Sequence, residues 1–361
     1  MKNPTPSKSE TKEVKFRVGR TVTQLVLFCG VSLFLLCCSN PKRDAGTRNE
    51  TSIVMGKAKI AFPEEITIRG IAQNPEGIEY DNNDQTFLLS SLNAGPIIKV
   101  HLDGTYEPFT TGEPFPMSTA GLHVDRKHNR LLVAAFSLPE LIDNDPKTKG
   151  AAHLRIYDLK TGRMQKDVDL ATFLHGANAY FANDVAVDGA GNVYVSDWYA
   201  RVVYKVDTSG KPGVFWKNET GISSGANGLD VHPDGYLLVS LVSVNDQGLY
   251  TDYGLVNIPL SDPSSAKLVD FPNGGYAGFD GMVLNAKGNV VGVTNNGKSP
   301  GGNTLVELSS KDNWKSAQVI HSKAITPSTT VATTPEGKYY IINQDFTKDE
   351  ATTWTIQQIE W

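Results

Sequence analysis

The chain has 361 residues, 40% of them apolar and 20% charged, with 33 glycines: enough for two ordinary domains or for one built of repeats. Its formal charge of −5 is unevenly placed. The first 50 residues hold nine Lys/Arg against four Asp/Glu, leaving 25 against 35 in the remainder, about ten net negative charges. That balance argues against a nucleic-acid binder, whose contact face is basic, and is compatible with a site for a cation.

Residues 1–20 are polar and carry Lys15, Arg17 and Arg20. The apolar run Thr21–Leu36 is 16 residues long. A membrane span needs about 20, so the run fits the hydrophobic region of a secretory signal. It ends in Leu35-Leu36-Cys37-Cys38-Ser39, which resembles a bacterial lipobox, with Cys37 standing where Gly, Ala or Ser is usual. The expectation is an exported lipoprotein anchored to a membrane of the cell envelope through Cys38, periplasmic or at the cell surface. An uncleaved anchor is the alternative. Residues 1–37 are then the signal segment, and 38–55 a polar, aperiodic tether. Cys29, Cys37 and Cys38 are the three cysteines, so the domain that follows has neither disulfide nor thiol chemistry.

Residues 56–361 repeat one pattern six times: strand, tight turn, strand. The copies are Pro75–Leu92, Thr119–Phe136, Ala182–Trp198, Ala226–Val242, Gly278–Asn296 and Ser328–Phe346. In the third, Val185 and Val187 alternate with smaller neighbours, Asp188-Gly189 makes the turn, and Val193 and Val195 carry the next strand. Two further strands follow, Arg201–Val206 and Val214–Asn218 there, Ile97–Leu102 and Tyr106–Thr110 in the first copy. A period of about 40–50 residues of short strands marks a propeller blade. The predicted fold is all-β, a six-bladed β-propeller of four-stranded antiparallel blades. The last copy reaches only a third strand, Thr355–Glu360, so Lys57–Ile68 is expected to supply its fourth. Pairing of N- and C-terminal strands would close the ring and leave few free edges.

Chemistry is expected where the repeats differ. At the start of the inner strand, beside the central channel, the six copies place Glu76, Ala120, Asn183, Asn227, Asp280 and Thr329. Four of these are hard oxygen donors and two are acidic, the ligand chemistry of calcium rather than zinc or copper. Asn and Asp also cap turns, which explains any one of them but less readily four in register. The loops predicted between second and third strands on this face are Ser137–Ala151, Ser243–Tyr253, Asn295–Gly302 and Asp345–Thr352. Trp198, Tyr199, Tyr250 and Tyr253 offer aromatic surface there for a ligand or for ordinary packing. His123, on the second inner strand, reads as a packed strand histidine. Gly221-Ile222-Ser223-Ser224-Gly225 fits G-x-S-x-G but lies between strands, without the strand-to-helix turn of a nucleophile elbow.

Over about residues 60–361 the chain resembles the SMP-30/gluconolactonase/luciferin-regenerating-enzyme family, more distantly related to paraoxonases and strictosidine synthases. The resemblance rests on Pro75-Glu76-Gly77, Ala182-Asn183-Asp184, Ala226-Asn227-Gly228 and Asp280-Gly281-Met282. It implies a six-bladed propeller with a divalent ion, often calcium, at the channel mouth. Glu76, Asn227 and Asp280 would be metal ligands, and Asn183 a further ligand or a substrate contact. The implied reaction is hydrolysis of a lactone or small ester, with Asp280 as first choice for general base. A substrate-binding arginine at the mouth is not evident; Arg201 is nearest by position, and His175, in the loop before the third blade, and Trp198 are further candidate substrate contacts, with an ordinary loop histidine and a rim aromatic as the competing readings. The channel histidine of the paraoxonase branch is replaced by Ala120. Expected partners are a small-molecule substrate and, through the lipid, a membrane; a monomer is expected. The competing reading is a non-catalytic surface propeller whose ion is structural and whose loops bind a ligand or protein, a choice the fold alone does not make.

Overall fold

The computed structural model describes residues 61–361, except 72–73, 114–116, 138–149, 175–176, 178, 246–249, 277, 295–301 and 344–352. The signal segment, the tether, Cys38 and His175 lie outside the described residues, as do residues 57–60 of the expected closing strand.

Among the described residues, twenty-four strands form six four-stranded antiparallel sheets. In blades 1 to 5 the strands follow in sequence from the channel outwards, beginning with Ile78–Asp81, Ser118–Asp125, Ala182–Val187, Gly225–His232 and Met282–Leu284. Blade 6 takes Val331–Thr333, Tyr339–Ile342 and Thr353–Ile359 from the C-terminal end and Glu65–Arg69 from the other. Glu65–Arg69 pairs antiparallel with Thr353–Ile359, with Ile68 opposite Trp354, so the ring is closed by joining the first and last strands of the propeller.

The alternation along each strand explains why six sheets pack into one ring. Phe87 and Leu89 face blade 6 while Leu88, between them, faces blade 2. Val193 and Val195 pack on blade 2, Tyr194 on blade 4; Tyr340 and Ile342 pack on blade 1, Ile341 on blade 5. Successive side chains point to opposite faces of a strand, so a sheet apolar at every position must be covered on both sides. One apolar cluster fills each of the six interfaces.

The described residues contain no α-helix, only 3-10 turns at Arg126–His128, Ala171–Phe173 and Pro263–Ser265. One expected loop is corrected. Tyr236–Val244 and Tyr250–Pro259 pair as far out as Val244 opposite Tyr250, with Tyr253 opposite Val242, so most of Ser243–Tyr253 is strand. The run Tyr250, Thr251, Tyr253 is rich in side chains that fit a pleated surface, and pairing there removes exposed backbone.

Candidate active site

At the channel end of blades 2, 3 and 4 the pairing of the first two strands skips between Thr119/Leu122, Ala182/Val185 and Ala226/Leu229. Each skip is a bulge containing the position singled out in the sequence: Ala120, Asn183 or Asn227. Bulges bend a strand and re-aim its side chains, and here they recur at the channel. In blade 1 the corresponding turn is pinned by Ser90, whose Oγ accepts from Gly77 N at 2.6 Å. Ser196 does the same for Asp184 N at 3.0 Å in blade 3.

The ring positions are tied to one another across blades. The Thr329 hydroxyl donates to the Glu76 carbonyl at 2.6 Å, Gly281 N donates to Thr329 O at 2.7 Å, and Gly228 N to Asp280 O at 2.8 Å. A Cβ on Gly228 would lie 2.4 Å from Asp280 O, so this approach admits only glycine. Leu229 N donates to Asp184 Oδ2 at 3.0 Å, joining blade 4 to blade 3. The structure therefore brings together the predicted residues Glu76, Asn227 and Asp280, with Asn183 in the same bulge as Asp184.

The electrostatics of this ring are unusual for a packed interior. Glu76 is 9% exposed, and its Oε2 is buried with no hydrogen-bond partner. Burial drives its carboxyl well above the usual range, and the charges of Asp280 and Asp184 push it the same way. Asn227 Oδ1 is likewise buried without a donor. Two orphaned acceptors in one ring are costly, since buried polar atoms are normally paired. A hard cation satisfies both, and the donor set of two carboxylates and two amides fits one. Among the described residues no group of three or more His, Cys, Asp or Glu side chains is arranged to hold a metal ion by itself, so a cation in the ring would rely on the amide oxygens of Asn183 and Asn227 as well as on the carboxylates.

Further along the channel lies a polar cavity of about 210 Å³, lined by Glu79, His123, Arg126, Asp184 and Asp230. Burial raises the carboxyls of Glu79 and Asp230, opposed in both by the His123 charge. Asp184 is pushed to about 7 by burial, against hydrogen bonds from Leu229 and Val185 N. Sequence reasoning assigned no role to Glu79, Asp184 or Asp230, and His123, expected as a packed strand residue, lines this cavity. The available signal was the repeat itself: three positions after the ring, the copies carry Glu79, His123 and Asp230 where the others carry Ala186, Val283 and Ala332.

Trp198 is half-buried in the turn between the second and third strands of blade 3, and its Nε1 donates to Val242 O at 2.8 Å. Arg201 ends the same turn, exposed and with left-handed backbone (φ 58°). No hydrogen bond or ion pair among the described residues joins its side chain to the ring.

Fold and site together define a closed six-bladed propeller with an oxygen-lined ring at one end of its channel. Solved structures share the fold at low sequence identity. The major allergen Mala s 1 of Malassezia sympodialis superposes with TM-score 0.65 at 19% identity, over 83% of this chain and 97% of its own. A gluconolactonase of Xanthomonas campestris gives 0.53 at 15%, over 82% and 89%. A luciferin-regenerating enzyme gives 0.52 at 13%, over 82% and 95%. No protein-family model and no curated protein matches the sequence.

Proposed function

We propose that this protein is a metal-dependent hydrolase of the gluconolactonase type, opening a lactone or cleaving a small ester at the channel mouth. The observation that carries this reading is the pair of buried, unpartnered acceptors, Glu76 Oε2 and Asn227 Oδ1, in a ring that also holds Asp280 and Asn183. The gluconolactonase and the luciferin-regenerating enzyme that share the fold support it. Glu76, Asn183, Asn227 and Asp280 would hold a divalent cation, calcium by the hardness of the oxygens. When bound, that ion supplies Lewis-acid polarisation of the ester carbonyl.

The chain's own groups do the rest. The Glu76 carboxyl holds negative charge that burial and the neighbouring charges of Asp280 and Asp184 disfavour until a cation compensates it. Asn183 is placed to bind either cation or substrate. Asp280 is the general base, taking the proton of the attacking water. His175, Trp198 and Arg201 contact the substrate. Upstream of the propeller, Cys38 carries the lipid that tethers it to the cell envelope.

Calorimetry of the full chain with calcium, beside Glu76→Gln and Asp280→Asn, tests the site. A panel of lactones and aryl esters, with and without chelator, tests the reaction. Calcium binding lost in both variants, with chelator-sensitive hydrolysis, is the expected result. No binding of calcium, magnesium, manganese or zinc would overturn the metal site. Binding without hydrolysis of any panel member would leave a structural ion in a binding propeller.

A further inference from the structure

The blades do not hold their channel positions alike. In blades 1 and 3 a serine on the second strand, Ser90 or Ser196, accepts from the inner segment of its own blade, at Gly77 N or Asp184 N. Blade 4 carries a serine at the same register, Ser240, one residue beyond Val239, which pairs with Leu229. Its hydroxyl turns instead to blade 5. Ser240 Oγ donates to Phe279 O at 2.9 Å and accepts from Phe279 N at 2.9 Å, while the blade's own Gly228 N donates to Asp280 O. Blade 5 has Val293 at that register, so the hydroxyl that serves it comes from its neighbour.

The segment served is the one that carries Asp280. It lies just before the inner strand Met282–Leu284 and opens at Gly278, whose backbone is left-handed (φ 81°). Its ties to Val293 and Thr329 run between main-chain groups: Asp280 N to Val293 O at 2.8 Å, Val293 N to Gly281 O at 3.0 Å, Gly281 N to Thr329 O at 2.7 Å. Ser240 adds a side chain to this set, and a substitution can remove it. Behind Ser240, the buried Tyr276 places its hydroxyl 2.9 Å from Ser240 Oγ and 3.2 Å from Gly254 O. The serine's one proton is spent on Phe279 O, so the tyrosine donates the bond between them. Burial pushes the Tyr276 hydroxyl up, which keeps it a donor. Its ring stands edge-on to Phe279 at 5.0 Å and stacks on Phe271 at 4.6 Å. A buried network whose members are all bonded holds one geometry.

We infer that Ser240, oriented by Tyr276, is a positioning residue for Asp280, fixing the peptide from which this carboxylate reaches the cation and the attacking water. The inference rests on the hydrolase reading and assigns the support of its site. Groups that orient a ligand count nearly as much as the ligand itself. Without the hydroxyl, Phe279 N and O both lose their side-chain partner, and the glycine at 278 gives the segment other conformations to visit.

The test uses the full chain, calcium and three variants. Ser240→Ala removes the hydroxyl, and Tyr276→Phe removes only the group that orients it. Ile68→Ala, in the core between blades 6 and 1, controls for lost stability alone. Calorimetry gives the calcium affinity, amide hydrogen exchange in chelator reports protection of residues 279–281, and initial rates on the lactone and ester panel separate kcat from KM. In Ser240→Ala, calcium should bind about tenfold or more weakly, with faster exchange at 279–281 and a lower kcat at nearly constant KM. Tyr276→Phe shows the same pattern, smaller, and carries the test should Ser240→Ala not fold. Ile68→Ala melts lower but binds calcium as wild type does. Calcium binding weakened in both hydroxyl variants, without hydrolysis of any panel member, sustains the positioning role and removes the hydrolase. Binding and hydrolysis unchanged in both folded variants, or weakened equally in Ile68→Ala, overturn the positioning role and leave the hydrolase standing.

Discussion

The hydroxyl of Thr329 donates to the backbone carbonyl of Glu76 at 2.6 Å, a bond between residues 253 apart in sequence. It crosses the seam between the last blade and the first, and it fixes the peptide that carries the orphaned carboxyl. Closure of the ring and placement of the candidate ligand are thus one local event.

Thr329→Val removes the donor, keeps the volume and leaves the Glu76 carbonyl buried without it. The loss is about 1–2 kcal/mol of stability, the cost of orphaning one buried acceptor. Urea unfolding is the check, with Thr329→Ser restoring most of the loss. A variant as stable as wild type would show that the seam does not depend on this bond.

The strand Glu65–Arg69 completes blade 6 and buries Ile66 and Ile68 against Phe87, Tyr340 and Ile342. Ile68→Ala should cost about 2–5 kcal/mol through lost apolar area and a residual cavity. Arg69→Ala, on an exposed position of the same strand, should stay within about 0.5 kcal/mol. Equal effects at both sites would mean that the terminal strand is paired but not packed.

The strands were legible because alternation of Val, Ile, Leu and Tyr with turn pairs such as Asp188-Gly189 leaves few other readings. Ring positions were legible too, since Glu76, Asn183, Asn227 and Asp280 interrupt an otherwise apolar repeat. The second set was not. Asn227 lies inside the bulge between Ala226 and Leu229, so the plain two-residue period of a strand does not place Asp230, three residues on, which lines the cavity. Nor does composition reveal that Glu76 Oε2 lacks a donor, which depends on distances between blades. The strand reach of Tyr250 and Tyr253 was hidden because their pairing partners, Val244 and Val242, lie across a loop of unspecified length.

Asp197 gives a pH dependence. Burial raises its carboxyl from 3.8 to about 6, against hydrogen bonds from Ala200 N, Phe181 N and the Tyr204 hydroxyl. Its folded-state value exceeds its unfolded one, so its contribution to stability is full below pH 3.8 and is lost as pH rises through about 6. A rise of that size is equivalent to roughly 3 kcal/mol. Asp197→Asn cannot titrate, so its stability between pH 4 and 6.5 should fall less steeply than that of wild type by one proton's worth. Parallel curves would place this carboxyl at its ordinary value.

Glu76→Gln should change sign with the solution. Burial, with Asp280 and Asp184 nearby, lifts the Glu76 carboxyl well above 4.5, so its contribution to stability falls away as pH rises from that value. Glutamine keeps the shape of the protonated acid at every pH. In chelator at pH 8, Glu76→Gln is therefore expected to melt higher than wild type. With calcium present the order reverses: wild type gains about 2.7 kcal/mol at a hundredfold excess of ion over its dissociation constant, and the variant gains little. The crossing of the two melting temperatures is the signature of a carboxylate kept charged for a cation. A variant less stable than wild type in both solutions would instead make Glu76 a structural residue whose own packing matters more than any ion.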